Sequence, residues 1–390
     1  MVMQTVVQMS DRGVLGPADV SDAELTGFVA NWLGESRHRV EVLHSHAEVV
    51  PYDLDAITTA GRYWVRGEAH TPTGATTFSF FVKHIQSWAR SPLFAAIPPD
   101  FREQAEASVP WRTEPLIYRS DLTDRLPAGL SIPRVVAVRD LDEKSAAVWL
   151  EEIPVVPRIW THEHLAHAAY LLGRLAASPA VRELAGIGGN PDRRPIRGYL
   201  HGRLTHQILP MLRSEEIWQH PLVASAFDAD LRRRLLDAAD SLPRYVEEVE
   251  QLPTGASHGD ACTNNLLVRP DSDDLVLIDF GFWMRQPLGF DLGQLLLGDV
   301  QLGRSPAKEL LRNEKACTAA YVDGLRAEGC DTDAALVRRA HALLMLIFSG
   351  MSAIPVEHLG SPPTPELHRI TAERAAAARF MLNLVDATAW

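Results

Sequence analysis

Short apolar runs separated by polar turns dominate the first part of the chain. Residues 76–85, for example, hold Phe78, Phe80 and Val82. Runs of this length that are rich in β-branched and aromatic residues are typical of strands. The segment from Thr71 to Gly74, with Pro72 inside it, signals a turn between two of the runs. The pattern predicts five strands, at residues 39–51, 62–70, 76–85, 134–138 and 146–152.

From Thr161 onward the apolar positions recur with the period of an α-helix. Leu165, Leu172 and Leu175 mark the first amphipathic helix of this region. Helices are predicted at residues 23–33, 112–122, 165–175, 200–212 and 231–249, and three more after residue 307. Strands in front and helices behind indicate an α+β fold with segregated elements. We therefore expect two domains, at residues 1–153 and 154–390, with the change of composition near Pro154.

Composition and charge exclude several kinds of partner. The 390 residues carry a formal net charge of −12, which argues against nucleic acid, because such binding depends on Lys and Arg. The most apolar run, residues 342–354, is too short to span a bilayer. Three widely spaced cysteines and no signal-peptide pattern at the N-terminus favour a reduced, cytoplasmic protein. The oligomeric state is left open by these features.

One segment holds most of the candidate catalytic and metal-binding side chains. It reads Ser257-His258-Gly259-Asp260-Ala261-Cys262-Thr263-Asn264-Asn265 and is followed by two short apolar runs. The runs, at residues 266–268 and 275–278, predict a hairpin with Asp260 and Asn265 at one side of its mouth and Asp279 at the other. Carboxylate and amide oxygens are hard ligands of the kind that Mg²⁺ takes. If Asn265 and Asp279 bind Mg²⁺, Asp260 is free of the metal and can accept a proton from an attacking hydroxyl. Phosphoryl transfer requires both a metal site and such a base.

These residues resemble the catalytic core of the aminoglycoside phosphotransferase and choline kinase family, small-molecule kinases of the protein-kinase-like superfamily. The shared pattern is His258-Gly259-Asp260, four residues, Asn265, and then Ile278-Asp279-Phe280-Gly281. The resemblance implies a bilobal fold, with an N-terminal antiparallel-sheet lobe and a larger, mainly helical C-terminal lobe. It also implies ATP or GTP with Mg²⁺, Asp260 as catalytic base, Asn265 and Asp279 as metal ligands, His258 as a scaffold residue and Asp291 as a brace of the catalytic loop.

By the same resemblance, the front lobe should bind the nucleotide. Lys83, at the end of an apolar strand, would pair with phosphate oxygens and with a helix carboxylate, for which Glu114 is preferred and Glu106 is the reserve. Backbone groups near Glu151 and Ile153 would hold the base. The loop that covers the phosphates is expected near residues 55–61, where Gly-x-Gly-x-x-Gly is missing and no single residue is assigned.

A small-molecule hydroxyl is the expected acceptor, because only about a dozen residues separate Asp279 from the next helix and no Ala-Pro-Glu follows. We predict an O-phosphotransferase that acts on an aminoglycoside-like antibiotic or amino sugar. A sugar or choline-like kinase, or a catalytically silent binding protein of the same fold, are the alternatives. Retention of Lys83, Asp260 and Asp279 disfavours the silent protein. Candidate acceptor contacts are the acidic helix residues Glu215, Glu216, Asp228, Asp230, Glu247 and Glu248, although a solvated helix face is the preferred interpretation for most of them. Candidate pocket walls are Trp160, Trp218 and Trp283, with core packing as the default for each.

Overall fold

A computed structural model describes residues 11–52, 56–155, 158–189, 195–270 and 272–389. The chain divides into two compact units. The first comprises the described residues up to Asp121 together with Ile132–Val155, and the second comprises Leu122–Ser131 together with the described residues from Val156 onward. The short segment Leu122–Ser131 joins the second unit because its strand pairs with a strand there.

The first unit is built on a five-stranded antiparallel sheet of order β1-β2-β3-β6-β5. Its strands are β1 (Glu41–Val49), β2 (Thr59–Thr71), β3 (Gly74–Gln86), β5 (Val135–Asp142) and β6 (Ser145–Glu151). Its helices are α1 (Asp22–Leu33), α2 (Arg102–Ser108) and α3 (Thr113–Arg119). All five predicted strands are present, with ends shifted by a few residues.

One face of this sheet packs against α1. Phe78, Phe80 and Val82 alternate along β3 and are buried, as the two-residue period of a strand requires. Phe28 of α1 meets Trp149 of β6 edge to face, with 5.5 Å between ring centroids. Helix α1 begins at a capping box in which Ser21 and Glu24 exchange hydrogen bonds. The opposite face of β3 carries Lys83.

The second unit is mainly helical. Its helices are α4 (Leu122–Arg125), α5 (His162–Ala177), α6 (Pro179–Arg182), α7 (Pro195–Tyr199), α8 (Leu209–Leu212), α9 (Glu215–Gln219), α10 (Pro221–Ala224), α11 (Ala229–Glu250), α12 (Phe290–Gln301), α13 (Leu310–Ala327), α14 (Ala334–Met345) and α15 (Pro365–Ala387). Its strands are β4 (Leu130–Ser131), β7 (Thr254–Ser257), β8 (Leu266–Val268), β9 (Leu275–Leu277) and β10 (Met284–Pro287). The strands form two small sheets, β4-β9-β8 and β10-β7.

The predicted α+β fold class is confirmed, with two local differences. The helix expected at residues 112–122 ends at Arg119, and Leu200–Ile208 is a π-helix that α8 continues. The helix predicted at residues 231–249 is present as α11, which runs unbroken through Pro243 from Ala229 to Glu250. Within the described residues, no helix combines the length and apolar character that a membrane crossing needs.

Candidate active site

The first unit buries an ion pair between a strand and a helix. Lys83 Nζ of β3 lies 2.6 Å from Glu114 Oε2 of α3. The two residues are only 4% and 2% exposed, so their opposite charges compensate each other in a buried environment. Glu106, the reserve candidate, instead hydrogen-bonds Lys144 and Ser87. The predicted pairing of Lys83 with Glu114 is therefore present, and its use in nucleotide binding stays a prediction.

The stretch predicted to hold the base lies at the end of β6. Glu151 is the last residue of that strand, and its backbone N–H donates to the Arg134 carbonyl oxygen at 2.9 Å. Ile153 follows the strand and is buried. The assignment of both residues to nucleotide binding stays a prediction. The predicted phosphate-covering loop begins at Asp55, which lies outside the described residues.

In the second unit, the Asp291 carboxylate anchors the start of the proposed catalytic loop, at residues 257–259, through hydrogen bonds. This residue stands in the first turn of α12 and is 2% exposed. Its Oδ1 accepts hydrogen bonds from Ser257 Oγ and the Gly259 N–H, and its Oδ2 accepts one from the His258 N–H, each 2.9 Å long. Burial raises the pKa of Asp291, while these three hydrogen bonds oppose the rise. The expected bracing role of Asp291 is confirmed.

His258 and Gly259 fix the backbone on either side of the turn. His258 Nε2 lies 2.9 Å from the Ile278 carbonyl oxygen, and Nδ1 accepts from the Asp260 N–H at 3.3 Å. These bonds suit a neutral imidazole that carries its proton on Nε2, which is the scaffold role expected from the sequence. Gly259 has φ +84°, and a Cβ there would lie 2.0 Å from the Phe282 carbonyl oxygen. Only glycine fits this position.

Asp260, Asn265 and Asp279 meet at the mouth of the β8–β9 hairpin, as the pattern predicts. Asn265 Nδ2 donates to the Asp260 backbone oxygen at 2.8 Å and to Asp260 Oδ2 at 3.0 Å. The Ile278 N–H donates to the Asn265 carbonyl oxygen at 3.2 Å, which brings the two sides of the mouth together. Burial raises the pKa of Asp260 above the usual range of an aspartic acid, and the Asp279 carboxylate adds to the rise.

Asp279 occupies an unusual backbone conformation. Among the described residues it is the one non-glycine residue with positive φ, at +65°. Such left-handed conformations are several-fold enriched in Asp and Asn and often mark functional sites. The turn lets Asp279 close β9 and begin the short helix Phe280–Phe282.

The donor set at this mouth fits a magnesium ion that is only partly bound by protein. The Asn265 amide donates both of these hydrogen bonds through its nitrogen, which leaves Oδ1 as the group for a cation. The described residues contain no cluster of three or more His, Cys, Asp or Glu side chains that could cage a metal. Mg²⁺ commonly takes one or two protein ligands, with water and substrate phosphates completing its shell.

A comparison with family models decides the class of enzyme. Residues 119–329, more than half of the chain, match the model described as the phosphotransferase enzyme family, APH. The chain belongs to this phosphotransferase family. The predicted family and the predicted enzyme class, a phosphotransferase acting on a hydroxyl of a small molecule, are thereby confirmed. The match includes Asp260, Asn265 and Asp279 and begins after Lys83 and Glu114.

Solved structures of low identity are also similar to this phosphotransferase. An aminoglycoside phosphotransferase from Alicyclobacillus acidocaldarius is 16% identical over 87% of this chain and 92% of its own, with a TM-score of 0.48. An amicoumacin kinase, in complex with AMP-PNP and Ca²⁺, is 13% identical over 90% and 89%, with a TM-score of 0.41. An aminoglycoside phosphotransferase from Streptomyces rimosus is 18% identical over 84% and 98%, with a TM-score of 0.38. No curated protein matches the sequence.

Of the three tryptophans named as pocket candidates, the phosphotransferase keeps two in its core. Trp218 and Trp283 are 6% and 1% exposed. Their Nε1–H groups donate to the Leu212 and Leu184 carbonyl oxygens at 2.7 and 2.8 Å. These two rings are core residues, in agreement with the default interpretation, because burial and indole hydrogen bonds fix them as packing residues. Trp160 is half-buried and lines a cavity.

Most of the acidic helix residues proposed as acceptor contacts already have partners. Glu215 pairs with Arg232, and Asp228 and Asp230 share Arg379. Glu248 holds Arg339 through two hydrogen bonds, of 2.6 and 2.8 Å. These pairs tie helices together, and they fit the solvated-helix interpretation better than acceptor binding.

Two further residues near the proposed catalytic loop of the phosphotransferase were not predicted from its sequence. Tyr321 of α13 is 2% exposed, and its hydroxyl accepts the Gly289 N–H at 3.0 Å, at the start of the helix that carries Asp291. Asp299 accepts a hydrogen bond from Thr263 Oγ1 at 3.0 Å. Both contacts join positions more than thirty residues apart, so no local pattern signals them.

Proposed function

We propose that this protein transfers the γ-phosphoryl group of Mg-ATP or Mg-GTP to a hydroxyl of an aminoglycoside-like antibiotic or amino sugar. The observation that carries the proposal is the arrangement of Asp260. Its carboxylate is largely buried, is oriented by the Asn265 amide and stands on a backbone that Asp291 fixes. A carboxylate positioned in this way suits a general base for an alcohol nucleophile.

In the proposed reaction, the acceptor oxygen attacks the γ-phosphorus while its proton passes to an Asp260 carboxylate oxygen. A new phosphorus–oxygen bond forms as the bond from the γ-phosphorus to the β–γ bridging oxygen breaks. The electron pair of that bond leaves with the nucleoside diphosphate. Because the chemistry needs little from the protein beyond placement and charge, the hydrogen bonds that orient Asp260 are its main contribution on the acceptor side.

Metal binding and nucleotide binding are proposed for separate sets of residues. Asn265 Oδ1 and the Asp279 carboxylate would hold magnesium, which when bound neutralises charge on the phosphate oxygens. Lys83, oriented by Glu114, would contact the phosphates, and backbone groups at Glu151 and Ile153 would hold the base. Backbone recognition of the base is the reason for proposing both ATP and GTP as donors.

The test is release of nucleoside diphosphate by the purified protein. Mg-ATP and Mg-GTP are each supplied with a panel of aminoglycosides, amino sugars, neutral sugars and amino alcohols. The proposal predicts release that depends on an aminated sugar or aminoglycoside and requires Mg²⁺. Release with choline-like alcohols alone, or with neutral sugars alone, would contradict the acceptor class. Thermal stabilisation by Mg-ATP without any turnover would favour a silent binding protein.

A further inference from the structure

Helix α12 contacts the proposed catalytic loop, residues 257–265, on both sides of Asp260. In its first turn, Asp291 holds residues 257–259. Gly298 and Asp299 follow Asp291 by seven and eight residues, about two helical turns, so they lie on the same side of the helix. A Cβ at Gly298 would lie 3.1 Å from Cys262 Cβ. The later part of α12 therefore packs directly against the second half of the loop.

The end of α12 is also hydrogen-bonded to the loop residues that precede Asn265. Thr263 Oγ1 donates to Asp299 Oδ2 at 3.0 Å. The chain turns back after the helix, because the Asp299 carbonyl oxygen accepts the Arg304 N–H at 2.8 Å. Arg304 Nη1 then lies 3.9 Å from Asp299 Oδ1 and donates to Asn264 Oδ1 at 3.2 Å. These contacts fix the backbone directly before Asn265.

The position of Thr263 determines where the Asn265 side chain lies. Thr263 and Asn265 begin and end one short 3-10 helix, and they are 9% and 8% exposed. The Asn265 N–H donates to the Cys262 carbonyl oxygen at 2.9 Å, which closes this turn. A shift of Thr263 would therefore shift the Asn265 amide, including the Oδ1 atom that is proposed to bind magnesium.

We propose that Asp299 is a positioning residue for the metal ligand Asn265, because its bond to the Thr263 hydroxyl fixes the turn that presents Asn265 Oδ1. The proposal rests on the proposed function, in which Asn265 binds magnesium. Arg304 lies beside the same carboxylate, so the hydrogen bond to Thr263 and not the net charge of Asp299 is the effective feature. Residues that orient metal ligands in this way commonly change metal affinity by about 10- to 100-fold when they are replaced.

The test is calorimetric binding of AMP-PNP to the full chain, once in excess Mg²⁺ and once in EDTA. The ratio of the two affinities measures what the metal contributes to binding. Thr263→Val removes the hydroxyl at nearly constant shape, Asp299→Ala removes its acceptor, and Asp299→Asn keeps an acceptor oxygen without the charge. The matched control is Asp323→Ala, which removes an exposed carboxylate of α13 that pairs with Arg326.

The expected result is that Mg²⁺ strengthens AMP-PNP binding to wild type, and that Thr263→Val and Asp299→Ala each lower this enhancement roughly ten-fold. The variant with both changes should lose no more than either one, since the two remove the same bond. Asp299→Asn and Asp323→Ala should keep the wild-type enhancement. Affinity in EDTA should be the same in all these variants.

Two results would overturn the positioning role alone. One is a wild-type enhancement in Thr263→Val, which carries the test even if Asp299→Ala does not fold. The other is an equal loss in Asp299→Asn and Asp299→Ala, which would make the charge the cause. A wild-type enhancement in Asn265→Ala would instead contradict the proposed metal site, and the positioning role with it.

Discussion

The two units stabilise their buried charged side chains differently, one with an ion pair and the other with hydrogen bonds from neutral groups. In the first unit, the ammonium group of Lys83 lies 2.6 Å from the carboxylate of Glu114. In the second, Asp260 and Asp291 pair with no Lys or Arg side chain of the described chain, and backbone amides, a serine and an asparagine hold them instead.

This difference explains how each region is suited to its proposed task. A buried ion pair fixes the place of a cation that can then contact phosphate. Burial raises the pKa values of these two carboxylates, which makes them stronger bases, and neutral hydrogen-bond donors orient them without an ion pair. The second arrangement suits a group that must receive a proton and stand beside a metal ion. The predictions below test this contrast.

The largest effect is expected from Asp260→Ala. Loss of the proposed base should lower kcat by about 10³-fold, within the usual range for general acid–base catalysis. Nucleotide affinity should stay near that of wild type, since Asp260 is not assigned to the metal or the phosphates. Steady-state ADP release and calorimetry with Mg-ATP measure the two effects. Asp279→Ala is the counterpart, and it should instead weaken Mg-ATP binding.

Breaking the ion pair of the first unit should cost stability. Lys83→Met removes the cation that lies 2.6 Å from the buried Glu114 carboxylate, and the free energy of unfolding should fall by about 3 to 5 kcal/mol. Lys83→Met combined with Glu114→Leu should recover most of that loss while activity stays absent. Urea unfolding measures both variants. If the double variant were as unstable as the single one, the pair would not be the source of the loss.

His341 is a third kind of buried polar side chain, one with neither an ion pair nor a hydrogen bond among the described residues. It is fully buried on α14, and neither ring nitrogen has a hydrogen-bond partner among the described residues. Burial lowers its pKa from 6.5 to about 4, with Glu314 opposing the shift and Arg338 adding to it.

Acid should therefore destabilise the protein through His341. Between pH 6.5 and 4 the His341 ring is protonated in the unfolded chain but stays neutral in the folded chain. The stability that the neutral His341 ring contributes is fully present above pH 6.5, the pKa of the ring in the unfolded chain. It is lost as the pH falls toward about 4, the pKa of the ring in the folded chain. We expect about 2 kcal/mol of loss between pH 7 and pH 5. His341→Leu should lack this part of the acid loss in urea unfolding, whereas His201→Gln, at an exposed site, should retain it.

The smallest effect is expected at Tyr321, which supports the start of α12 with a neutral hydrogen bond. Tyr321→Phe leaves the buried Gly289 N–H without its acceptor, at a cost of about 1 to 3 kcal/mol. Because α12 carries Asp291, kcat should fall a few-fold while KM for the nucleotide is unchanged. Tyr245→Phe, at another buried tyrosine, is the control. Equal changes in the two variants would show that Tyr321 does not position the loop.

Local patterns were sufficient to predict most of this fold and much of the site. The five strands show as β-branched and aromatic runs, and the hairpin mouth shows as Asp260, Asn265 and Asp279 around two apolar runs. The pairing of Lys83 with Glu114 also agrees with expectation, since a strand lysine in an apolar run needs a buried partner.

Features that depend on distant contacts were not predictable in this way. Strand β4 has two residues and no periodicity, so its parallel pairing with β9 has no local signal. Trp218 and Trp283 carry no local signal that separates a pocket wall from a core position, and only the structure shows that both are buried. The cavity lined by Trp160 likewise joins that residue to Asp299 and Arg312, which are brought together only by the packing of three helices.

The most direct measurement is the mass of the acceptor after incubation with Mg-ATP and the purified protein. The account predicts that wild type adds one phosphoryl group to a hydroxyl of an aminated sugar or aminoglycoside, in step with ADP release, and that Asp260→Ala adds none in the same time. Formation of ADP and inorganic phosphate with an unmodified acceptor, or equal product from Asp260→Ala, would contradict it.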